Sequence, residues 1–430
     1  MKLFIVWILK IISILVIKKY QPRIVAITGS VGKTSAKEAI YTVISKQYRA
    51  RRNIKNYNNE IGVPLTIIGV DSPGKNVFGW LAVLFHSIFL LTHRNRSYPE
   101  ILILEMGADH PGDIAYLTSF IPVEIGVLTA IAPVHLEFFK KIENIIREKQ
   151  IIIEVLRKEG YAILNGDDWQ VKQASQKSKG GTITFGLNAD NDVRAVEVKL
   201  STGKSSEAQL VKGLSFKLVY AGSSVPVFLP GVLGKHQVYA ALAGAAVGLS
   251  LECNLVEIAD ALQRFNSPRG RMNLINGVKS SVLIDDTYNS SPAAAMAAVE
   301  VLSEIEKEDT GRRIAVFGDM LELGSYTEQG HREVGHKVAE LNIDFLLCVG
   351  EKSRDIGRGA KEAGMGEERI YYFSDNEKTA DFLQRLMKEN DIILLKGSQG
   401  ARIEQVVKAI MAHPENAKYL LVRQEDPWIN

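Results

Sequence analysis

The chain has 430 residues, 46% hydrophobic and 23% charged, so we expect a globular protein of two or three domains. Its 52 Lys and Arg against 49 Asp and Glu leave a formal charge of +3, which argues against a nucleic-acid-binding surface. Its two cysteines, Cys253 and Cys348, stand in apolar contexts, which argues against a disulfide framework or a cysteine-based zinc site.

The N-terminal stretch, residues 3–17, is an apolar run whose one charged residue is Lys10. Side-chain transfer energies favour membrane contact, although 15 helical residues reach only about 22 Å against a hydrocarbon core of roughly 30 Å. Lys18 and Lys19 on the C-terminal flank indicate a cytoplasmic side. We therefore predict that residues 1–22 tether the chain to the cytoplasmic face of the cell membrane, by spanning or lying on it. The alternative is a buried helix in a cytoplasmic protein.

The next stretch has the pattern of a phosphate-binding loop. A buried strand is predicted over residues 24–28 and a helix from Ser35 to about Gln47. Between them the glycines would let backbone N–H groups approach the phosphates of ATP, and the hydroxyl at the end of the loop would hold Mg²⁺. The ATP-binding residues predicted here are Thr28, Gly29, Ser30, Val31, Gly32, Lys33 and Thr34. The position six residues before the lysine is Ile27 instead of glycine, so the loop is a shorter variant of the general pattern.

A second apolar run covers residues 77–91. It lies between two segments that must both belong to the ATP-binding domain, so a single membrane crossing is excluded. We expect an interfacial or re-entrant helix, and a core helix is the alternative.

The remaining pattern alternates strands with helices, which predicts an α/β fold with mostly parallel sheets. Strands are predicted at 101–105 and 125–129, and helices near Pro111 and at 142–158, 236–250 and 254–264. Residues 181–229 alternate like an antiparallel addition to the same domain. We place a boundary at Asn266, which gives a P-loop-type central domain over 23–265 and a Rossmann-like domain over 266–430. In the latter we predict strands near 282–285, 313–317, 344–349 and 391–395, and helices near 293–306, 331–340, 377–388 and 402–411.

Two polar residues stand at predicted strand ends. Glu105 ends one strand and His135 follows the next. Functional groups gather at the carboxyl ends of parallel strands, so both residues are candidate Mg²⁺ ligands beside the loop. A helix-capping carboxylate and an ordinary loop histidine are the alternatives.

Seven motifs occur in one order along the chain: VAITGSVGKTSAKE, KNYNNEIGVPLTII, ILEMGADHPGDIAYLT, APVHLEFF, GRMN, IDDTYNSSP and FGDMLELG. Together they resemble the Mur ligase family from about Arg23 to about Ile410, and NNEIGVP and EMGADHPG resemble its D-alanyl-D-alanine-adding branch. The resemblance implies an ATP-dependent amide ligase of peptidoglycan precursor synthesis. Such an enzyme activates a substrate carboxylate as an acyl phosphate, which an amine then attacks.

The resemblance also implies the cofactors. One Mg²⁺ would lie near Thr34 and Glu105, and a second near His135. A CO₂-derived carbamate on Lys149, which lies 14 residues after the histidine, would turn that ammonium into a carboxylate-like ligand for the second ion. A solvated helix lysine is the alternative.

Further residues are carried over from the family motifs. Arg271 would reach the nucleotide phosphates, and Asp286 would lie near the nucleotide. Lys396 and Ser398 would help to receive D-Ala-D-Ala or a similar amine. The loop that faces the carboxylate of the muropeptide acceptor would contain Asn58, Asn59 and Glu60.

The chain departs from the family pattern in two ways that bear on substrates. Only 22 residues precede the ATP-binding domain, where the family carries a uridine-recognition domain, so we expect that module to be missing or supplied by a partner subunit. Where the family commonly has H-N-x-x-N, with an Asn that contacts adenine, this chain has Gln237 and Ala240. A glutamine side chain is able to hydrogen-bond the base, and an alanine side chain is not.

Three functions stay open at this point. The first is ligation of D-Ala-D-Ala or a similar amine to a muropeptide. The second is the same chemistry on a lipid-linked, other envelope or polyglutamate-type acceptor presented at the membrane. The third is a non-catalytic, membrane-tethered nucleotide-binding scaffold, which the retained Lys33, Lys149 and Arg271 argue against.

Overall fold

The computed structural model describes residues 2–54, 57–132, 136–202, 211–307 and 310–425. Two compact units divide the chain. The first comprises Met1–Val198, Phe216–Phe228 and Lys235–Phe265, and the second Lys199–Ser215, Leu229–Gly234 and Asn266–Asn430.

Helices and strands alternate along the part of the chain that precedes Asn266. In chain order the elements are α1 (Lys2–Tyr20), β1 (Arg23–Thr28), α2 (Lys33–Ile44), β2 (Ala50–Arg52), α3 (Gly62–Ile68), α4 (Val77–Thr92), β3 (Ile101–Glu105), α5 (Asp113–Thr118), β4 (Ile125–Leu128), α6 (Leu136–Phe139), α7 (Ile142–Glu154), β5 (Tyr161–Asn165), α8 (Trp169–Lys172), β6 (Gly181–Gly186), β7 (Val193–Thr202), β8 (Val211–Tyr220), β9 (Ser223–Pro230), α9 (Lys235–Ser250) and α10 (Leu255–Leu262).

These strands form one sheet in the order β2-β3-β1-β4-β5-β6-β7-β8-β9. The pairings from β2 to β7 are parallel, and β1 lies between β3 and β4. The buried faces of β1 and β3 are aliphatic, as expected for parallel strands covered by helices on both faces. The predicted α/β fold with a mostly parallel sheet is confirmed.

The prediction that residues 181–229 add antiparallel strands to the sheet is wrong for β6 and for the start of β7. β6 pairs with β5 in parallel, and β7 begins a parallel pairing with β6. The connection from β5 to β6 contains α8 and a 3₁₀ turn (Gln173–Lys177), and this crossover returns the chain to the same end of the sheet. Within residues 181–229 the two-residue connection between β8 and β9 has the length of a hairpin.

Helices α1 and α4 each have one side against the apolar core of the first unit and one side exposed. On α1, Leu9 and Val16 are buried, and on α4, Val83 and Leu90 are buried; these side chains share a core cluster with α3 and β3. The C-terminal ends of the two helices meet, because Lys19 Nζ donates hydrogen bonds to the last carbonyls of α4 at 2.7–3.0 Å. The exposed side shows that α4 is not wholly a core helix, and its contact with a membrane stays a prediction.

Among the helices of the described ranges, none combines the length and the apolarity that crossing a bilayer requires.

The second α/β alternation contains a six-stranded sheet. Its elements are β10 (Asn273–Asn276), β11 (Val282–Asp286), α11 (Pro292–Glu304), β12 (Arg313–Gly318), α12 (Thr327–Glu340), β13 (Phe345–Val349), α13 (Arg354–Glu362), β14 (Ile370–Phe373), α14 (Asn376–Leu386), β15 (Ile392–Lys396), α15 (Glu404–Ile410) and α16 (Ala417–Leu420). The strand order is β10-β11-β15-β12-β13-β14, parallel except for the β10–β11 pair. The sequence did not predict β10, α13 or β14.

One buried carboxylate holds two helices of the first unit together. Glu148 on α7 accepts hydrogen bonds from the backbone N–H groups of Gly112 (2.8 Å) and Ile114 (2.7 Å), at the start of α5. Helix N-termini have unsatisfied N–H groups and a partial positive charge, so a buried carboxylate there stabilises the fold.

We expect Glu148→Gln to lower the free energy of unfolding by about 1–2 kcal/mol, because it removes the charge and one acceptor from a buried pair of hydrogen bonds. Urea denaturation measures the change. The exposed Glu159, replaced in the same way, is the control. Equal stability of the two variants would contradict the capping role.

Candidate active site

The candidate site of the first unit lies where three parallel strands end. β1 pairs with β3 through Ile27 and Glu105, and with β4 through Thr28 and Leu128, so the chain leaves all three strands at the same edge. The loop between β1 and α2 therefore passes in front of the residues that follow β3 and β4. This is the edge at which open α/β sheets bind their ligands.

The loop fits tightly against the segment after β4. Gly29 has φ of 153°, and a Cβ atom placed there would lie 2.0 Å from Thr129 Oγ1, so no other residue fits without displacing that segment. Thr129 Oγ1 donates a hydrogen bond to the Val31 carbonyl (2.6 Å), and Ser30 Oγ donates to the Ala132 carbonyl (2.9 Å). These hydrogen bonds hold the loop in one conformation against the segment that follows β4.

Two ammonium groups converge on one carbonyl oxygen of this loop. Lys33 Nζ donates to the Gly29 oxygen at 2.7 Å, and Lys149 Nζ, which comes from α7, donates to the same oxygen at 3.1 Å. Burial and, to a smaller extent, the neighbouring Lys33 charge lower the pKa of Lys149 to about 7. Two lysine amino groups beside a glycine loop that leads into a helix N-terminus are suited to a polyphosphate.

A hydroxyl and a carboxylate meet on the other side of the loop. Thr34 Oγ1 donates to Glu105 Oε1 at 3.3 Å, and Asn58 Nδ2 donates to the same oxygen at 3.4 Å. In the described ranges no three His, Cys, Asp or Glu side chains form a metal-binding group. Mg²⁺ commonly needs only one or two protein oxygens when phosphates supply the others, so Thr34 and Glu105 fit that ion.

Sequence reasoning missed the two residues that hold Glu105. Lys37, buried on α2, places Nζ 3.4 Å from Glu105 Oε2. Asn53, also buried, accepts from the Glu105 backbone N–H (2.8 Å) and donates to its carbonyl (2.9 Å). The sequence offered a way to find Lys37, since it lies one helical turn after Lys33 and Thr34 and therefore on the same side of α2. It offered none for Asn53, which follows β2, a strand that was not predicted.

The other predicted residues of the first unit are placed as follows. His135 lies outside the described residues. Asn59 Oδ1 accepts from the backbone N–H groups at the start of α3 (2.9–3.2 Å), and Glu60 forms an ion pair with Lys2 at 3.0 Å, so of the predicted acceptor loop only Asn58 contacts Glu105. Gln237 is fully buried in the first turn of α9, and its contact with adenine stays a prediction.

In the second unit a separate cluster lies at the ends of β11 and β15. Asp286 and Lys396 are register partners on these strands, and Lys396 Nζ lies 2.6 Å from Asp286 Oδ2. Both side chains are buried, and Lys396 also donates to the Asn289 carbonyl (2.9 Å). Two residues that the sequence assigned to different substrates therefore form one ion pair.

The remaining predicted residues of this unit lie around the same segment. The Arg271 guanidinium stacks on the Tyr288 ring, 4.3 Å from its centroid. Ser398 Oγ donates to the Ser290 carbonyl (3.3 Å) and accepts from the Leu321 N–H (2.9 Å). Residues 286–290 thus bring Arg271, Asp286, Lys396 and Ser398 into one region of the second unit, and a planar, permanently charged arginine there suits a phosphate or carboxylate.

Comparison with known proteins agrees with this geometry. Residues 87–248 match the Mur ligase middle domain, and residues 270–399 match the Mur ligase, glutamate ligase domain. UDP-N-acetylmuramoyl-tripeptide--D-alanyl-D-alanine ligase of Escherichia coli K12 is 32% identical over 90% of this chain and 76% of that protein.

Solved structures give the same result. MurF from Acinetobacter baumannii superimposes with a TM-score of 0.75 and 26% identity, over 93% of this chain and 79% of that one. MurF from Thermotoga maritima in complex with ADP gives a TM-score of 0.76 and 25% identity, over 96% and 84%. Identity, coverage and fold together show that this chain belongs to the Mur ligase family.

Proposed function

We propose that the protein is an ATP-dependent amide ligase that adds D-Ala-D-Ala, or a similar amine, to the carboxylate of a muropeptide in peptidoglycan precursor synthesis. The observation that carries the proposal is the convergence of Lys33, Lys149, Thr34 and Glu105 on one phosphate-binding loop. The activity for which the Escherichia coli relative is named supports this choice of substrates.

The chemistry needs two transfers. A carboxylate oxygen of the acceptor attacks the γ-phosphorus of ATP, the bond to ADP breaks, and an acyl phosphate forms. The amine nitrogen then attacks the acyl carbon and loses a proton, and phosphate leaves with the C–O bonding electrons. The ammonium of Lys33 and the N–H groups of the loop would neutralise charge on the transferring phosphoryl group.

Metal ions fit the same site. Thr34 and Glu105 would hold one Mg²⁺, which when bound neutralises the repulsion between the acceptor carboxylate and the triphosphate. A second ion near His135 is part of the proposal on the strength of the family motif. Lys37 and Asn53 would keep the Glu105 carboxylate in place before the ion arrives.

Lys149 is proposed to carry a carbamate. Its amine, with a pKa of about 7, is neutral in a large fraction of molecules at neutral pH, and only the neutral amine attacks CO₂. The nitrogen forms a bond to carbon and releases one proton. The resulting anion would face Lys33, which replaces repulsion between two like charges with an ion pair.

The second unit would contribute to nucleotide and amine binding. Arg271 is proposed for the nucleotide phosphates and Asp286 for the nucleotide. Lys396 and Ser398, whose side chains are already ordered by buried hydrogen bonds, are proposed for the incoming amine substrate.

A second candidate differs only in the acceptor, which would be lipid-linked and presented at the cytoplasmic face of the membrane. The observation that favours it is the ion pair between Glu60, on the predicted acceptor loop, and Lys2, at the start of the half-exposed α1. Deletion of residues 1–20 would not test this candidate cleanly, because it would also remove Leu9, Ile12, Val16 and Ile17 from the apolar core of the first unit.

Mass spectrometry tests the proposal on the full-length protein in detergent, with ATP, Mg²⁺, bicarbonate, D-Ala-D-Ala and either UDP-muramoyl-tripeptide or its lipid-linked counterpart. We expect a product heavier by one dipeptide and one phosphate released per product. Lys33→Ala should lower the rate by about 10²-fold or more, whereas the exposed Lys141→Ala should not. Protein that binds ATP but makes no product with either acceptor would overturn the proposal, and a preference for one acceptor decides between the candidates.

We expect activity to depend on CO₂, most strongly below pH 7, where protonation removes the reactive amine of Lys149. Initial rates in CO₂-free buffer should fall and recover on adding bicarbonate. Lys149→Arg, which keeps the positive charge but cannot form the carbamate, should be slower by about 10²-fold. ¹³C NMR with labelled bicarbonate should show a carbamate signal that Lys149→Arg lacks; a signal shared by both proteins would contradict the assignment.

We expect Lys37→Met to destabilise the free protein by about 3 kcal/mol, because it leaves the buried Glu105 carboxylate without its cation. Saturating Mg²⁺ and ATP should recover more stability in this variant than in the wild type, since the metal replaces the missing charge. Thermal unfolding with and without Mg²⁺-ATP measures both effects. An equal ligand-induced gain in the two proteins would show that Lys37 does not act through the metal site.

A further inference from the structure

An exposed apolar surface on α1 and α4, which we call the two-helix face, is not accounted for by the ligase chemistry. It consists of the large apolar side chains that point away from the core, including Phe4, Trp7 and Leu15 on α1 and Phe78, Phe85 and Phe89 on α4. Of the 24 exposed large apolar side chains among the described residues, 13 belong to these two helices. Scattered exposed apolar residues are ordinary, but a concentration of this kind marks an interaction site.

The two helices form one surface and not two. α1 and α4 pack against each other, and Tyr20 and Lys19 of α1 donate hydrogen bonds to the carbonyls of Leu90 and His93 at the end of α4 (2.7–3.1 Å). Both helices also contribute buried side chains to the same core cluster. Each helix is therefore held against the core of the first unit, and its exposed side is open to a partner surface.

The one charge within the apolar run of α1 is turned away from this surface. Lys10 Nζ donates to Ser119 Oγ at 3.2 Å and lies over the rings of Tyr116 (5.0 Å) and Phe120 (5.2 Å). The desolvation cost that a central lysine would add to an apolar contact is therefore avoided.

The charged residues within the two segments that contain these helices are all basic, and two of them pair with carboxylates from elsewhere, Lys2 with Glu60 and Arg23 with Glu124. The segments 1–23 and 72–99, which contain both helices, hold eight Lys or Arg residues and no Asp or Glu. The other 44 Lys and Arg of the chain stand against all 49 Asp and Glu. At the end where the helices meet, Lys18, Lys19, Arg94 and Arg96 are all exposed.

We propose that the two-helix face docks in the plane of an anionic lipid surface, with its apolar side chains in the headgroup and acyl boundary and its cations on the lipid phosphates. Amphipathic helices with aromatic residues on one side and Lys or Arg beside them bind membranes in this way. A second copy of the chain is a poorer occupant, because the two helix segments of that copy would offer the same basic residues and no carboxylate to pair with them. The inference does not depend on the proposed ligase activity.

Flotation of the full-length protein with vesicles tests the proposal. We expect binding to vesicles of phosphatidylglycerol and phosphatidylcholine, and weaker binding to phosphatidylcholine alone. Phe78→Ser/Phe85→Ser/Phe89→Ser should lower the partition coefficient by about tenfold or more. The control is Val256→Ser/Tyr419→Ser, whose side chains are similarly exposed (68% and 61%, against 70% for Phe85) but lie elsewhere, and it should bind like the wild type.

Charge-reversal variants measure the electrostatic contribution to vesicle binding. Arg94→Glu/Arg96→Glu should lower binding to the anionic vesicles by about tenfold or more and make the remainder less sensitive to salt. ATP binding and thermal unfolding of each variant check that the fold is retained, which is expected because the replaced side chains are exposed. Quenching of Trp7 fluorescence by brominated lipid, with Trp7→Phe as the blank, locates the contact on this face.

Two results would overturn the proposal. One is vesicle binding by the triple phenylalanine variant that equals the wild type. The other is a wild-type protein that ignores anionic vesicles and forms a dimer in light scattering that the triple variant abolishes, which would assign the face to a second copy. Neither result depends on product formation, so failure of this inference and failure of the ligase proposal are distinguishable.

Discussion

The first unit depends on how the charged side chains at the edge of its apolar sheet are compensated. Glu105 is buried at the end of β3, and a buried carboxylate is costly unless a cation or hydrogen-bond donors compensate for it. Lys37, the amide of Asn58 and the hydroxyl of Thr34 supply that compensation. Lys33 and Lys149, in contrast, both donate to the Gly29 carbonyl, which places two amino groups beside the loop where a polyanion would bind.

The second unit also buries charged groups at the end of a parallel strand, but there they form an ion pair. Asp286 and Lys396 are register partners on neighbouring parallel strands, and their charges compensate each other at 2.6 Å. The ion pair orders the segment that follows β11, where Tyr288 supports the guanidinium of Arg271. Here buried charge fixes the position of a loop, whereas in the first unit two lysines stand beside a loop that is suited to a polyanion.

The sequence predicted those elements that have strong local signals. The glycines and lysine of the loop, and the aliphatic strands that end at Glu105 and Asp286, each follow from spacing and period. β10 and β14 are edge strands of four residues each, and they lack the continuous buried aliphatic run by which the equally short β4 is recognised. The apolar run of α1 could not show which side is buried, because a helix that is apolar all round has no polar side to mark its exposed face. Tertiary contacts alone make that choice.

The clamp between α1 and α4 has a mechanical consequence. Only Gln21 and Pro22 separate Tyr20, which is bonded to the end of α4, from the first residue of β1, and that strand leads directly into the phosphate-binding loop. Six strand residues span about 20 Å. The strand therefore acts as a fixed spacer between the C-terminal end of α1 and the phosphate-binding loop, so the end at which the two helices meet is held about 20 Å along the strand from that loop.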